Sequence, residues 1–177
     1  MKRVIAIIVL SIIFVQCNSD KKFLITKNGL GNIEKNTTIT ELDDIFENDS
    51  VVKFPENVEV LNKYSVYSQE GNQIVEIKLH VVNDSVAGIE HIKIFDKSYK
   101  TEKGLSTLST FKDIVDNYSI SKIQPTFSSA VVFIDEINAT AALDKKDLRL
   151  GEFDMKDINK DQVPDMAKIK YITLWFD

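Results

Sequence analysis

The sequence predicts an α+β fold: two tandem helix-plus-three-strand units forming antiparallel sheet, with the helices on one face. Three observations lead there. Several runs alternate apolar and polar residues, the pattern of strands with one buried and one wet face. Two short segments place apolar residues at helical spacing behind a threonine and an acid. The order of these segments then recurs along the chain, helix register included.

The first unit is predicted over residues 23–98. Phe23-Leu24-Ile25-Thr26 is a short apolar start, and Asn28-Gly29-Leu30-Gly31 turns the chain. Thr38 to Phe46 reads as a helix with Thr38 or Thr40 as its cap, early acids where the helix dipole favours them, and Ile39, Leu42, Ile45 and Phe46 on one face. Glu47 to Asn57 is a polar connection containing Pro55. Val58 to Ser68 alternates, with Val58, Val60, Tyr64 and Val66 on one side, and Glu70-Gly71-Asn72 signals a hairpin. Gln73 to Val82 sets Val75, Ile77, Leu79 and Val81 against Glu76, Lys78 and His80 on the other face. Ile89 to Asp96 follows the Asn83-Asp84 turn and Gly88.

The second unit is predicted over residues 99–177. Lys103-Gly104-Leu105 echoes Lys27 to Leu30, and Thr110 to Tyr118 aligns with Thr38 to Phe46. Ala130 to Glu136 and Ala139 to Leu143 read as strands. Lys168 to Phe176 is the last strand, with Ile172, Leu174 and Phe176 on one face and Tyr171 and Trp175 on the other. This layout resembles the tandem helix-plus-sheet fold of beta-lactamase inhibitor proteins and the small lipoproteins of outer-membrane assembly. The resemblance lies in element order, and it carries over no binding residue.

Ahead of both units, Lys2 and Arg3 precede an apolar run from Val4 to Val15 broken only by Ser11. The run is shorter than the roughly 20 residues a membrane-spanning helix needs, and its basic start is that of an export signal. Phe14-Val15-Gln16-Cys17 resembles the lipobox of bacterial lipoproteins. That resemblance implies removal of residues 1–16, acylation of Cys17 with palmitate-like chains, and a location in the cell envelope, at the outer membrane. Residues 17–22 are then the lipidated cysteine and its polar tether.

Charge excludes some functions. The chain holds 22 Lys and Arg against 27 Asp and Glu, a net charge of −5, and loss of Lys2 and Arg3 makes it more acidic. Nucleic acid, which demands clustered cations, is a poor partner for such a chain. Cys17 is the one cysteine, so its acylation removes thiol chemistry and disulfides together.

Few motifs carry chemistry. Asp157, Asn159, Asp161 and Asp165 space their oxygens like the start of a calcium loop, as in dockerin or thrombospondin repeats. Gln162 stands at the turn position and Lys168 at the position of the closing acid, so a polar loop is the leading reading and bound calcium the alternative. His80 and His91, the only histidines, fall on the polar sides of neighbouring runs and are expected exposed. No serine sits in a nucleophile-elbow pattern, and no phosphate loop or dinucleotide fingerprint is present. Asp135 and Glu136, as consecutive strand residues, would face opposite ways and so not work as an acid pair. No cofactor is expected. The reading that remains is a non-enzymatic envelope module that binds a protein partner through the helix-free sheet face. Its candidate contacts are Lys78, His80, Lys93, Phe95, Tyr171 and Trp175. A hydrolase with a scattered site is a further alternative.

Overall fold

The alternation along the chain produces strands, and most of the molecule is built from them. The computed structural model describes residues 19–54, 62–83, 85–148 and 155–176. A helical turn, Ser19–Lys22, leads into β1 (Leu24–Thr26), β2 (Gly29–Leu30) and β3 (Ile33–Glu34). Helix α1 (Ile39–Ile45) precedes β4 (Ser50–Lys53), β5 (Lys63–Tyr67), β6 (Gln73–Val82), β7 (Ser85–Ile94) and the short β8 (Lys100–Thr101). Helix α2 (Phe111–Asn117) precedes β9 (Ile123–Pro125), β10 (Ser129–Ile134), β11 (Ala139–Asp144) and β12 (Ile169–Trp175).

Eight strands form one sheet in the order β4-β5-β6-β7-β12-β11-β10-β9, every neighbouring pair antiparallel. The remaining four form a small mixed sheet, β3-β2-β1-β8, in which β1 and β8 run parallel. This overturns the expected fold of two tandem helix-plus-three-strand units. The protein is mostly β, with one continuous large sheet and a second sheet that the tandem reading did not contain. The physical reason is that strand pairing, not strand pattern, sets architecture. Residues 23–34, expected as a start and a turn, form three strands, of which β1 pairs with β8. Ser50–Lys53 lies inside the expected connection and Ile123–Pro125 outside every expected strand; both are too short to show a period.

One face of the large sheet is core. Val66, Val75, Ile77, Ile92, Ile94, Val132, Ile134, Ala141, Ile172 and Leu174 are all buried on it. Leu42 and Phe46 of α1, Phe111 and Ile114 of α2, and Ile25, Leu30 and Ile33 of the small sheet close the same core. Burying each large aliphatic side chain contributes ~1.5–3 kcal/mol.

Local chemistry sets the helix ends. The Thr38 hydroxyl accepts from the Glu41 N–H at 3.3 Å, and the Glu41 carboxylate accepts from the Thr38 N–H at 2.7 Å. Thr110 donates its N–H to Asp113 at 2.7 Å. The α2 start is also held from outside: Phe111 N–H donates to the Ala167 carbonyl and Lys112 N–H to the Asp165 carbonyl, at 2.8 and 2.9 Å. Gly88 lets the small sheet reach the large one. Ile89 N–H donates to the Lys35 carbonyl at 2.7 Å, and a Cβ on Gly88, whose φ is +126°, would lie 2.8 Å from that oxygen.

Two substitutions check this assignment by urea denaturation. Ile77→Ala, at the centre of the buried face, is expected to cost about 2–5 kcal/mol. Val52→Ala, on exposed β4, is expected to change stability by less than about 0.5 kcal/mol. Equal effects would contradict the assignment of the core face.

Candidate functional site

Among the described residues no helix lies on the opposite face of the large sheet. Its residues follow from the register: Lys63 lies opposite Lys78, and Lys78 opposite His91. Glu76 lies opposite Lys93, Lys93 opposite Thr173, His91 opposite Trp175, and Thr173 opposite Thr140. The result is a shallow trough of about 400 Å³ lined by Lys63, Lys78, His91, Lys93, Tyr171 and Trp175, floored by Thr140 and Thr173 and bounded by Val131. A volume near the lower end of the usual range for ligand sites suits side chains entering from above.

A bulge places one more group there. Lys78 pairs with His91 and Leu79 with Ile89, so Glu90 is the extra residue of β7. The bulge brings Glu90 to the same side as His91. Glu90 Oε1 accepts from Lys78 Nζ at 2.9 Å and lies 3.2 Å from His91 Nδ1. Beside it, Glu76 Oε1 meets Lys63 Nζ at 3.0 Å and Lys93 Nζ at 3.3 Å. That oxygen is closed off from solvent and no contact reaches it with hydrogen-bond alignment, so charge rather than directed bonding holds it.

The aromatic groups are seated by these charges. His91 and Trp175 rings lie 4.7 Å apart, tilted by 48°. The Trp175 indole N–H donates to the Thr140 hydroxyl at 3.3 Å. Lys93 Nζ sits 5.5 Å from the Tyr171 ring centre, and the Phe95 ring lies 5.7 Å from it, tilted by 54°. Trp175 nevertheless keeps 41% of its surface exposed.

Protonation follows from this packing. Burial pushes the His91 imidazole below its ordinary value, the neighbouring Glu90 carboxylate pulls it back in part, and Lys78 and Lys93 push it down again. His91 is therefore neutral near pH 7. Burial pushes the Glu76 carboxyl up, but Lys63 and Lys93 outweigh it and hold the group below the usual carboxylate range. Burial and Lys78 act on Glu90 in the same way, with the same net direction.

Of the predicted contacts, Lys78, Lys93, Tyr171 and Trp175 line the trough, and Phe95 supports it through Tyr171. His80 does not join them: it is exposed and pairs with Gly88, beyond the bulge. His91, expected exposed, is 8% exposed beneath Trp175. Lys63 was legible as the polar alternate of its strand, whereas Glu90 was not, because a bulge leaves no mark in the alternation.

Two of the calcium-loop residues make other contacts through their backbones. Asn159 N–H donates to the Gln162 side chain at 2.8 Å, closing a 3-10 turn, Lys160–Gln162. Asp165 serves α2 through its carbonyl, and the side chains of Asp157, Asp161 and Asp165 are exposed. Among the described residues no three His, Cys, Asp or Glu side chains gather as a metal-holding group. Asp135 and Glu136 sit in a 3-10 turn rather than a strand, and accept from the Ser121 hydroxyl and the Ser119 N–H at 3.0 and 2.8 Å. Cys17 lies outside the described residues. Among the described residues no helix is long and apolar enough to cross a membrane.

No family model matches the chain, and no curated protein matches it. Among solved structures, it is similar to the crystal structure of the uncharacterized protein yfeY from Escherichia coli. The TM-score is 0.56 at 13% identity, over 86% of this chain and 99% of that one. At this identity the likeness is one of fold.

The chain's single tryptophan stands on the site, so its fluorescence reports the site alone. Protonation of an adjacent imidazole quenches indole emission. Trp175 emission is therefore expected to fall on acidification with a midpoint below 6.5, the ordinary histidine value, and His91→Gln is expected to abolish that step. Stability moves the same way. The unfolded chain takes up the histidine proton first, so stability drops as pH falls below about 6.5. A second loss begins below about pH 4.5, where unfolded carboxylates protonate before Glu76 and Glu90. An emission midpoint at or above 6.5 would contradict the burial of His91.

Proposed function

We propose that this protein is a non-enzymatic lipoprotein of the bacterial cell envelope, anchored through Cys17 at the outer membrane, that binds a protein partner through the open face of its large sheet. The observation that carries this reading is the trough. Its exposed Trp175, its Tyr171 and a fringe of lysines form an interface-like composition on a sheet face that no helix among the described residues covers.

The start of the described chain supports the same arrangement. Phe23 packs edge-on against Tyr99 at 5.3 Å, with Lys22 Nζ 5.7 Å from the Phe23 ring. Lys100 N–H donates to the Phe23 carbonyl at 3.0 Å, and a Cβ on Gly31 would collide with the Lys22 carbonyl. The chain is thus fastened to the body within a few residues of Cys17. Two residues span at most ~7 Å, so little slack separates an acylated Cys17 from Ser19. The strands that receive this segment pack Ile25, Leu30 and Ile33 into the core, on the side of the large sheet opposite the trough. Acylation at Cys17 then turns the trough away from the lipid, toward a partner arriving through solvent.

Two experiments test this. Labelled palmitate is expected to enter the full chain and not Cys17→Ala, which should also leave the membrane fraction; label in the variant would end the lipoprotein reading. For partner binding, a photo-crosslinking amino acid at position 171 is expected to give a discrete adduct in intact cells. The same group at exposed position 43 on α1 should give none. Equal yields from both positions, or none from 171, would remove the open face as the binding surface.

A further inference from the structure

We infer that the partner presents an extended acidic segment to the trough. The inference rests on the open face being the partner surface and adds the chemistry of what it receives. Three ammonium groups line the trough, Lys63, Lys78 and Lys93, and two carboxylates beside it, Glu76 and Glu90, meet them. In a chain with 27 acids and 22 basic residues, a local excess of cations runs against the whole. Accessibility sharpens the excess. Lys78 and Lys93 side chains are 30% and 31% exposed, while Glu76 is only 15% exposed and lies beneath its two lysines. Glu90, at 32%, is as exposed as the two lysines.

Shape narrows the ligand further. Tyr171 and Trp175 stand four residues apart on one strand face, a separation of roughly 13 Å. Thr140 and Thr173 lie between the rings and supply hydroxyls to the floor. An extended peptide fits this arrangement, its acidic side chains reaching Lys78 and Lys93 and its apolar ones the two rings. A long polyanion or an anionic bilayer fits poorly, because it would also meet the acidic remainder of the molecule. A short segment meets only the trough.

The crosslinked adduct at position 171 separates this inference from the one beneath it. Mass spectrometry of the adduct is expected to place the attachment within an acidic stretch of the partner. Attachment within a neutral or basic stretch overturns the acidic segment while leaving the partner surface intact, whereas no adduct at all removes both.

A direct measurement uses Trp175 emission of the detergent-purified full-length protein. The probe is an acetylated octapeptide of glutamate and serine with a central leucine. Binding is expected at low salt, weakening as salt rises, and the lysine-for-glutamate peptide should not bind. Joint replacement Lys78→Gln and Lys93→Gln is expected to weaken binding about tenfold. Glu90→Gln releases Lys78 and is expected to tighten binding roughly threefold. A misfolded variant does not bind more tightly, so that second substitution keeps the test sharp. Equal binding of both peptides, no change with Glu90→Gln, or stronger binding of a hyaluronan oligosaccharide than of the glutamate peptide would overturn the inference.

Discussion

Antiparallel pairing of β7 with β12 holds the large sheet together and builds its site in the same step. Ile172 faces Ile94 and Leu174 faces Ile92, which makes the buried face continuous across the join. In the same register, Thr173 faces Lys93 and Trp175 faces His91 on the opposite side. Side chains alternate along a strand, so a slip of one residue would expose the aliphatic row and bury the lysines. The aliphatic contacts are worth far more than any surface ion pair, so the core dictates the register and the trough inherits it.

Within that frame the charges position rather than stabilise. The Lys78–Glu90, Lys63–Glu76 and Lys93–Glu76 pairs are all partly exposed, and such pairs contribute ~0–1 kcal/mol each. Their effect is to limit where three flexible lysines point. A lysine held by a carboxylate loses less side-chain freedom when a ligand arrives, which lowers the cost of binding. The bulge at Glu90 matters for this reason: without it, that carboxylate would face the core.

Much of the site's parity was legible in the sequence, and much of the architecture was not. Ile172 and Leu174 against Tyr171 and Trp175, and Val75, Ile77 and Leu79 against Glu76 and Lys78, lie on the faces that alternation assigned them. Both seven-residue helices start behind the threonines their sequences mark, Thr38 and Thr110. Alternation reports which way a side chain points, however, and says nothing about which strand lies next door. That Ile169–Trp175 would join Ser85–Ile94 depends on packing between residues some eighty positions apart, and the parallel contact of Leu24 with Lys100 is equally non-local. His80 shows the finer failure. Its parity in β6 was correctly polar, but the single-residue bulge at Glu90 moves its neighbour from Ile89 to Gly88.

The edges of the large sheet differ from its face in what they offer a partner. An open sheet exposes unpaired backbone groups along both outer strands, and an added strand is the cheapest partner it can take. Here β9 has three residues and ends in Pro125, which has no N–H to donate. On the other side β4 has four residues and ends in Lys53. Short edges closed by a proline and a charge offer little ladder to extend. The inner strands β6 and β7 have ten residues each, and the trough draws Lys78, His91 and Lys93 from them. Strands paired on both sides hold their side chains more firmly than an edge can. The side chains of the trough therefore stand where the backbone is best supported, while the two short edges of this sheet offer little backbone to pair with.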